Sequence, residues 1–177
     1  MPVGREAVVA AILASAADLF AERGPAATSI RDIAARAKVN HGLVFRHFGA
    51  KQQLVGAVLN YLSAITTELV QSGASLEQLR PAVDRHTKVM ARTLLDGYPA
   101  GQLQTSFPGA ERMIELSRPR HDSDSSVRFA VANVLALQFG WRLFEPLLRA
   151  ATGVELTAEE LRQAVGAEID RMGVSLP

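Results

Sequence analysis

Two short helix-forming stretches, residues 29–37 and 40–48, lie almost end to end and are joined only by Lys38 and Val39. Ser29 is placed to cap the first stretch, and Asp32 three residues on makes a short capping box with it. Asn40 caps the second. Gly24 and Pro25 stop the helix before the pair, and Gly49 and Ala50 break the chain after it. Two short helices with a tight connection, preceded by a packing helix, have the geometry of a helix-turn-helix. In such a pair the first helix anchors the inward face of the second. Its outward face is left for a major groove. Val39, Val44 and Phe48 can face inward here. Asn40, His41, Gly42, Leu43, Arg46 and His47 lie on or near the open side, and Ala34 sits where the two helices cross.

The rest of the chain also reads as helix. Residues 5–23 carry Val9, Ile12, Leu13, Ala16, Leu19 and Phe20 at helical spacing. A long helix opens at Lys51 and keeps an apolar stripe to about residue 71. Another runs from 76 to 97, with Pro81 tolerated in its first turns. Residues 98–109 read as loop with one turn of helix, 110–117 as a short helix and 118–125 as a polar loop. The longest helix spans 126–151. A last one, capped by Thr157 with Glu160, ends near 173. Alternating β-branched runs are scarce, so the expected class is all-α. The expected division is a three-helix head, residues 1–50, joined by a long helix to a helical body, residues 51–177.

Charge is spread unevenly. Residues 1–60 hold seven basic and four acidic side chains, whereas the remainder holds twelve and fourteen. The basic excess therefore lies where a polyanion would dock. Catalysis finds little support. The chain has no cysteine, which excludes disulfides, thiolate nucleophiles and Cys-bound zinc. No His pair has metal-ligand spacing, and the G-x-S-x-G elbow and glycine-rich phosphate loops are missing. The acidic pairs Asp122/Asp124 and Glu159/Glu160 fall in a polar loop and a first helical turn, where solvation and capping account for them. No metal, cofactor or catalytic residue is expected. No stretch is apolar enough to span a membrane, and the expected location is the cytoplasm.

The run Thr28-Ser29-Ile30-Arg31-Asp32-Ile33-Ala34, followed by Val39, Gly42, Phe45, His47, Phe48 and Lys51, resembles the N-terminal domain of the TetR family of bacterial transcriptional regulators. In that pattern a T-(S/T)-(V/I)-R-(D/E)-I-A helix leads to a G-x-(L/I)-(Y/F)-x-(H/Y)-F-x-x-K recognition helix. The likeness covers about residues 8–60. It implies that Arg31, His41, Gly42 and Leu43 reach base edges and that Arg46 meets a base or a phosphate. It also implies that Thr28, Ser29, Phe45, His47 and Lys51 grip the phosphate backbone. Three positions depart from the pattern. Lys38 replaces a turn glycine and could itself meet phosphate. Phe45 lacks the hydroxyl of the commoner tyrosine. Ala50 replaces a capping Ser or Asn.

The resemblance further implies a repressor released from a near-palindromic double-stranded DNA operator by a small-molecule effector. It also implies a homodimer held by the last two helices of each subunit. The 126–151 helix agrees, because Trp141, Phe144 and Leu148 need a partner surface; an intramolecular core is the alternative. The candidate effector wall is Met90, Leu94, Phe107, Met113, Phe129 and Leu137, with His86 and Arg92 as polar contacts. The competing reading is a helical ligand-binding protein or enzyme with an incidental helix-turn-helix. It requires a catalytic cluster that the sequence lacks.

Overall fold

The computed structural model describes residues 4–177, so the first three residues of the expected head lie outside it. The described residues form α1 (Arg5–Arg23), α2 (Ile30–Ala37), α3 (His41–Phe48), α4 (Lys51–Gln71), α5 (Leu76–Leu95), α6 (Ala100–Leu103), α7 (Pro108–Ser117), a 3₁₀ turn (Arg118–Arg120), α8 (Asp124–Thr152) and α9 (Ala158–Arg171). There is no strand among them, and the all-α class holds. Packing divides the chain into one unit ending at Phe107 and a second, Pro108–Pro177. The helix-turn-helix therefore shares a compact unit with α4, α5 and α6.

Local chemistry fixes most helix ends. Ser29 with Asp32, Ser75 with Gln78 and Thr157 with Glu160 form reciprocal capping boxes at α2, α5 and α9. Several boundaries differ from the sequence reading. α7 begins at Pro108, because proline at a first helical position gives up an amide that would be unpaired there anyway. α8 begins at Asp124, where the Ser123 hydroxyl accepts from the Ser126 amide. It runs through Pro146 to a left-handed Gly153. α5 stops at Leu95, and the single turn expected within 98–109 is α6. Part of the expected polar loop at 118–125 is the 3₁₀ turn.

The first unit is organised around one cluster. Ile12, Ala16 and Phe20 of α1, Ile33 and Ala34 of α2, and Val44 of α3 are buried in it. So are Leu54, Val55, Val58, Leu59 and Leu62 of α4 and Val89 of α5. α6 lies directly on α4: a Cβ at Gly56 would stand 2.6 Å from the Leu103 carbonyl oxygen, a contact that only glycine permits. Beside it, Asn60 Oδ1 accepts from the Thr105 and Ser106 amides at 3.0 and 3.2 Å, and its Nδ2 donates to the Thr105 hydroxyl.

The second unit has a smaller core of Met113, Val127, Val131, Val134, Ile169 and Val174. Its C-terminal tail folds back onto it. His121 Nε2 lies 3.2 Å from the Gly173 carbonyl oxygen, and the Ser175 amide donates to Ser117 Oγ at 2.8 Å.

Candidate nucleic-acid interface

α2 is fixed before α3 is placed. The Ser29 hydroxyl accepts from the Asp32 amide at 3.1 Å, and Asp32 Oδ2 accepts from the Ser29 amide at 2.9 Å. That backbone bond, with the hydroxyl and Arg23 at 2.8 Å, holds the Asp32 carboxyl below its ordinary pKa. Arg36 is held by Glu22 of α1 through two bonds, at 2.6 and 3.0 Å. The turn to α3 passes through Lys38 at φ 55° and ψ 42°. This left-handed geometry costs a non-glycine residue on the order of 1 kcal/mol.

α3 is short and asymmetric. Asn40 Oδ1 caps it by accepting from the Gly42 amide at 2.8 Å. Val44 is wholly buried and anchors the helix, and Phe48 packs against the same core. Phe45, next to Val44 in sequence, is 69% exposed. Asn40, His41, Gly42 and Arg46 are exposed as well, while Leu43 and His47 are half-buried. The His47 ring meets Phe48 edge to face. Lys38 and Arg31 are exposed on the adjoining turn and helix. A ridge of this composition, with one buried anchor, a hydrogen-bonding cap, a guanidinium and a bare aromatic ring, can read a groove edge and press on a sugar-phosphate wall.

Two expected phosphate contacts sit differently. Thr28 is 1% exposed, and its hydroxyl donates to the Gly24 carbonyl at 2.8 Å. The side chain closes the α1–α2 turn instead of facing outward. Lys51 is half-buried, and its Nζ reaches the Ala26 carbonyl at 3.4 Å. Burial lowers the Lys51 pKa, and the charges of Asp96 and Asp32 oppose that shift. Behind Lys51, α4 starts without a side-chain cap at Ala50, as its sequence implies.

Sequence reasoning did not single out Asp96. It ends α5, and its Oδ2 accepts from the Ala26 amide at 2.7 Å, seventy residues away along the chain. The available signal was weak, since an Asp followed by Gly97 reads simply as a turn.

The effector candidates fall in both units. In the first, His86 and Met90 are half-buried, while Leu94 and Phe107 are exposed. The candidate polar contact Arg92 is also exposed. In the second, Met113 is a core residue, Leu137 packs beside that core, and Phe129 is 71% exposed. Met113 therefore serves packing, because its side chain is enclosed by Val127, Val131 and their neighbours. His86 Nε2 is buried without a hydrogen bond, as are Thr93 Oγ1 and Gln104 Oε1. Burial pushes the His86 pKa down. Gln104 lies near enough to oppose that shift, but outside hydrogen-bond geometry. Of the candidate dimer residues, Phe144 is exposed and Trp141 and Leu148 are half-buried. Among the described residues, no cluster of His, Asp or Glu could hold a metal ion, and no helix is long and apolar enough to cross a membrane.

A sequence profile described as "Bacterial regulatory proteins, tetR family" matches residues 12–58, the span from mid-α1 into α4. The chain is also 62% identical over 97% of its length to the HTH-type transcriptional repressor Rv3405c of Mycobacterium tuberculosis strain H37Rv, covering 92% of that protein. This chain belongs to the TetR family. It is a DNA-binding transcriptional regulator. A shorter likeness, 39% identity over 39% of this chain and 37% of the relative, links it to the repressor KstR2 of the same species. Among solved structures, a TetR-like regulator from Rhodococcus sp. RHA1 superposes with a TM-score of 0.55 at 22% identity, covering 97% of this chain and 94% of that one. NalD, the secondary repressor of the MexAB-OprM multidrug efflux pump in Pseudomonas aeruginosa, gives 0.54 at 22% identity, with 96% of each chain covered. At these identities the two structures speak for the TetR fold alone.

Proposed function

We propose that this TetR-family chain is a dimeric repressor that inserts α3 into the major groove of a near-palindromic operator and leaves it when a small molecule binds. The reading rests on one observation. Val44 is wholly buried while Phe45 and Arg46 beside it face solvent, so α3 is anchored from behind and open in front. Arg46 and Arg31 fork onto guanine edges or phosphate. Asn40, His41, Gly42 and Leu43 approach bases, and Ser29, Phe45, His47 and Lys38 line the backbone. Lys51 spends one of its three N–H donors on the Ala26 carbonyl and keeps two for phosphate, and Thr28 contributes by shaping the turn. The repressor sense follows the name of the 62% identical relative.

Dimerisation rests on α8, which leaves Phe129, Phe144 and Leu147 uncovered. Two copies would set their recognition helices about 34–36 Å apart, one helical turn of DNA. The effector enters beside α5, where His86 and Met90 offer a polar and a soft apolar contact. Such a protein works in the cytoplasm, without catalysis or a resident cofactor. A gel shift on the DNA upstream of its own gene tests the reading. Wild-type protein should retard this DNA, and Arg46→Ala should weaken binding about tenfold or more, the loss of one good base contact. Equal binding by both proteins would remove α3 from the interface.

A further inference from the structure

We infer that Asp96 is a positioning residue for operator binding: a carboxylate at the end of α5 that clasps the α1–α2 turn and so sets where the helix-turn-helix stands. This inference rests on the operator-binding reading above, and it concerns a residue outside the two helices of the helix-turn-helix.

The clasp is built from several sides. Asp96 Oδ2 accepts the Ala26 amide at 2.7 Å. The neighbouring Gly24 has φ +83°, and a Cβ there would stand 2.6 Å from the same oxygen. Glycine is therefore needed at this position both for its backbone angle and for the room that the carboxylate takes. From α4, Lys51 Nζ donates to the Ala26 carbonyl, so a carboxylate and an ammonium hold the two polar groups of one residue. The Asp96 charge also favours the charged form of Lys51. Within the turn, the Thr28 hydroxyl donates to the Gly24 carbonyl. Gly24, Pro25 and Thr28 are buried while Ala26 and Ala27 are exposed, so the turn is packed at its two ends and held in the middle by the bonds to Ala26. The next residue is Ser29, the cap that starts α2. Whatever fixes residues 24–28 thus fixes the origin of α2, and with it α3.

Simple electrostatics predicts the opposite sign for this residue. A carboxylate near a polyanion opposes binding, so its removal should tighten the complex. If Asp96 is a clasp, its removal should loosen the complex, because a charge-assisted bond that orders the turn is lost.

The test uses full-length protein and operator DNA followed by fluorescence anisotropy. Asp96→Ala should weaken binding about tenfold while leaving the salt slope unchanged, since no phosphate contact is removed. Asp96→Asn, which keeps an oxygen acceptor for the Ala26 amide, should stay within about threefold of wild type. Gly24→Ala should weaken binding from the other side of the clasp, and its penalty should shrink in the Asp96→Ala background, where the oxygen it meets is gone. Thermal melts of each variant separate lost folding from lost affinity. Should Asp96→Ala fail to fold, the Gly24→Ala and Asp96→Asn pair carries the same comparison. Wild-type or tighter affinity in Asp96→Ala, with Arg46→Ala impaired as proposed, overturns the clasp alone. Wild-type protein that does not bind overturns the operator reading, and the clasp with it.

Discussion

α1 spans 19 residues and buries Ile12, Ser15, Ala16, Ala17, Leu19 and Phe20. α8 spans 29 and buries only Val127, Val131 and Val134, leaving Phe129, Phe144 and Leu147 between 53% and 71% exposed. Each helix belongs to a different compact unit. The first unit encloses the apolar face of α1 and bares Phe45 on α3 beside the exposed Arg46; its other exposed large apolar side chains, Leu76, Leu94, Leu95 and Phe107, lie at the two ends of α5 and just before α7. The second exposes several large apolar side chains along one helix. A bare ring amid cationic and hydrogen-bonding groups suits a nucleic acid. A long bare stripe suits a second protein surface, since monomers rarely leave such patches uncovered.

The sharpest way to break this contrast is to truncate one aromatic residue in each unit. Phe20→Ala should cost about 3–5 kcal/mol and show as a large drop in thermal midpoint. Phe144→Ala should cost much less at low protein concentration, and its effect should grow with concentration. Equal costs independent of concentration would mean that α8 needs no partner. Next in size, Phe144→Glu combined with Leu147→Glu should convert dimer to monomer at micromolar concentration, read by analytical ultracentrifugation, while helical circular dichroism is retained. A variant that stays dimeric would move the interface elsewhere.

The smallest effect is a dependence on pH. His86 has its pKa lowered by burial, so the folded state prefers the neutral ring. Stability from this site is therefore complete above the unfolded pKa of roughly 6.5 and declines as pH falls below it. Replacing His86 by Gln should flatten the acid side of a stability-against-pH curve obtained by urea unfolding. An unchanged curve would show that the ring is not the group responsible.

The sequence carried the helices because their ends are encoded locally. Ser29, Asn40 and Thr157 cap as expected, and Gly24 and Gly49 turn the chain at positive φ. The anchoring of α3 by Val44 was legible for the same reason, from its helical spacing. Roles that depend on distant partners were not. Thr28 matches the family motif, yet its hydroxyl is taken by Gly24; Lys51 matches too, yet it answers to Ala26 and Asp96. Asp96 itself lies seventy residues from its partner, beyond any local pattern. Met113 and Phe129 look alike on a sequence, both apolar and helical, but one is enclosed and the other is bare. Only the packing of α7 and α9 against α8 tells them apart.

Operator affinity as a function of salt tests the central claim most directly. If α3 and its surroundings sit on the duplex, the logarithm of the wild-type affinity should fall linearly with the logarithm of salt concentration. Its slope should be several units, reflecting that many neutralised phosphates. Arg46→Ala should lower the affinity at every salt concentration and, if Arg46 meets phosphate, flatten the slope by about one. An affinity indifferent to salt, or an Arg46→Ala line lying on the wild-type line, would contradict the account.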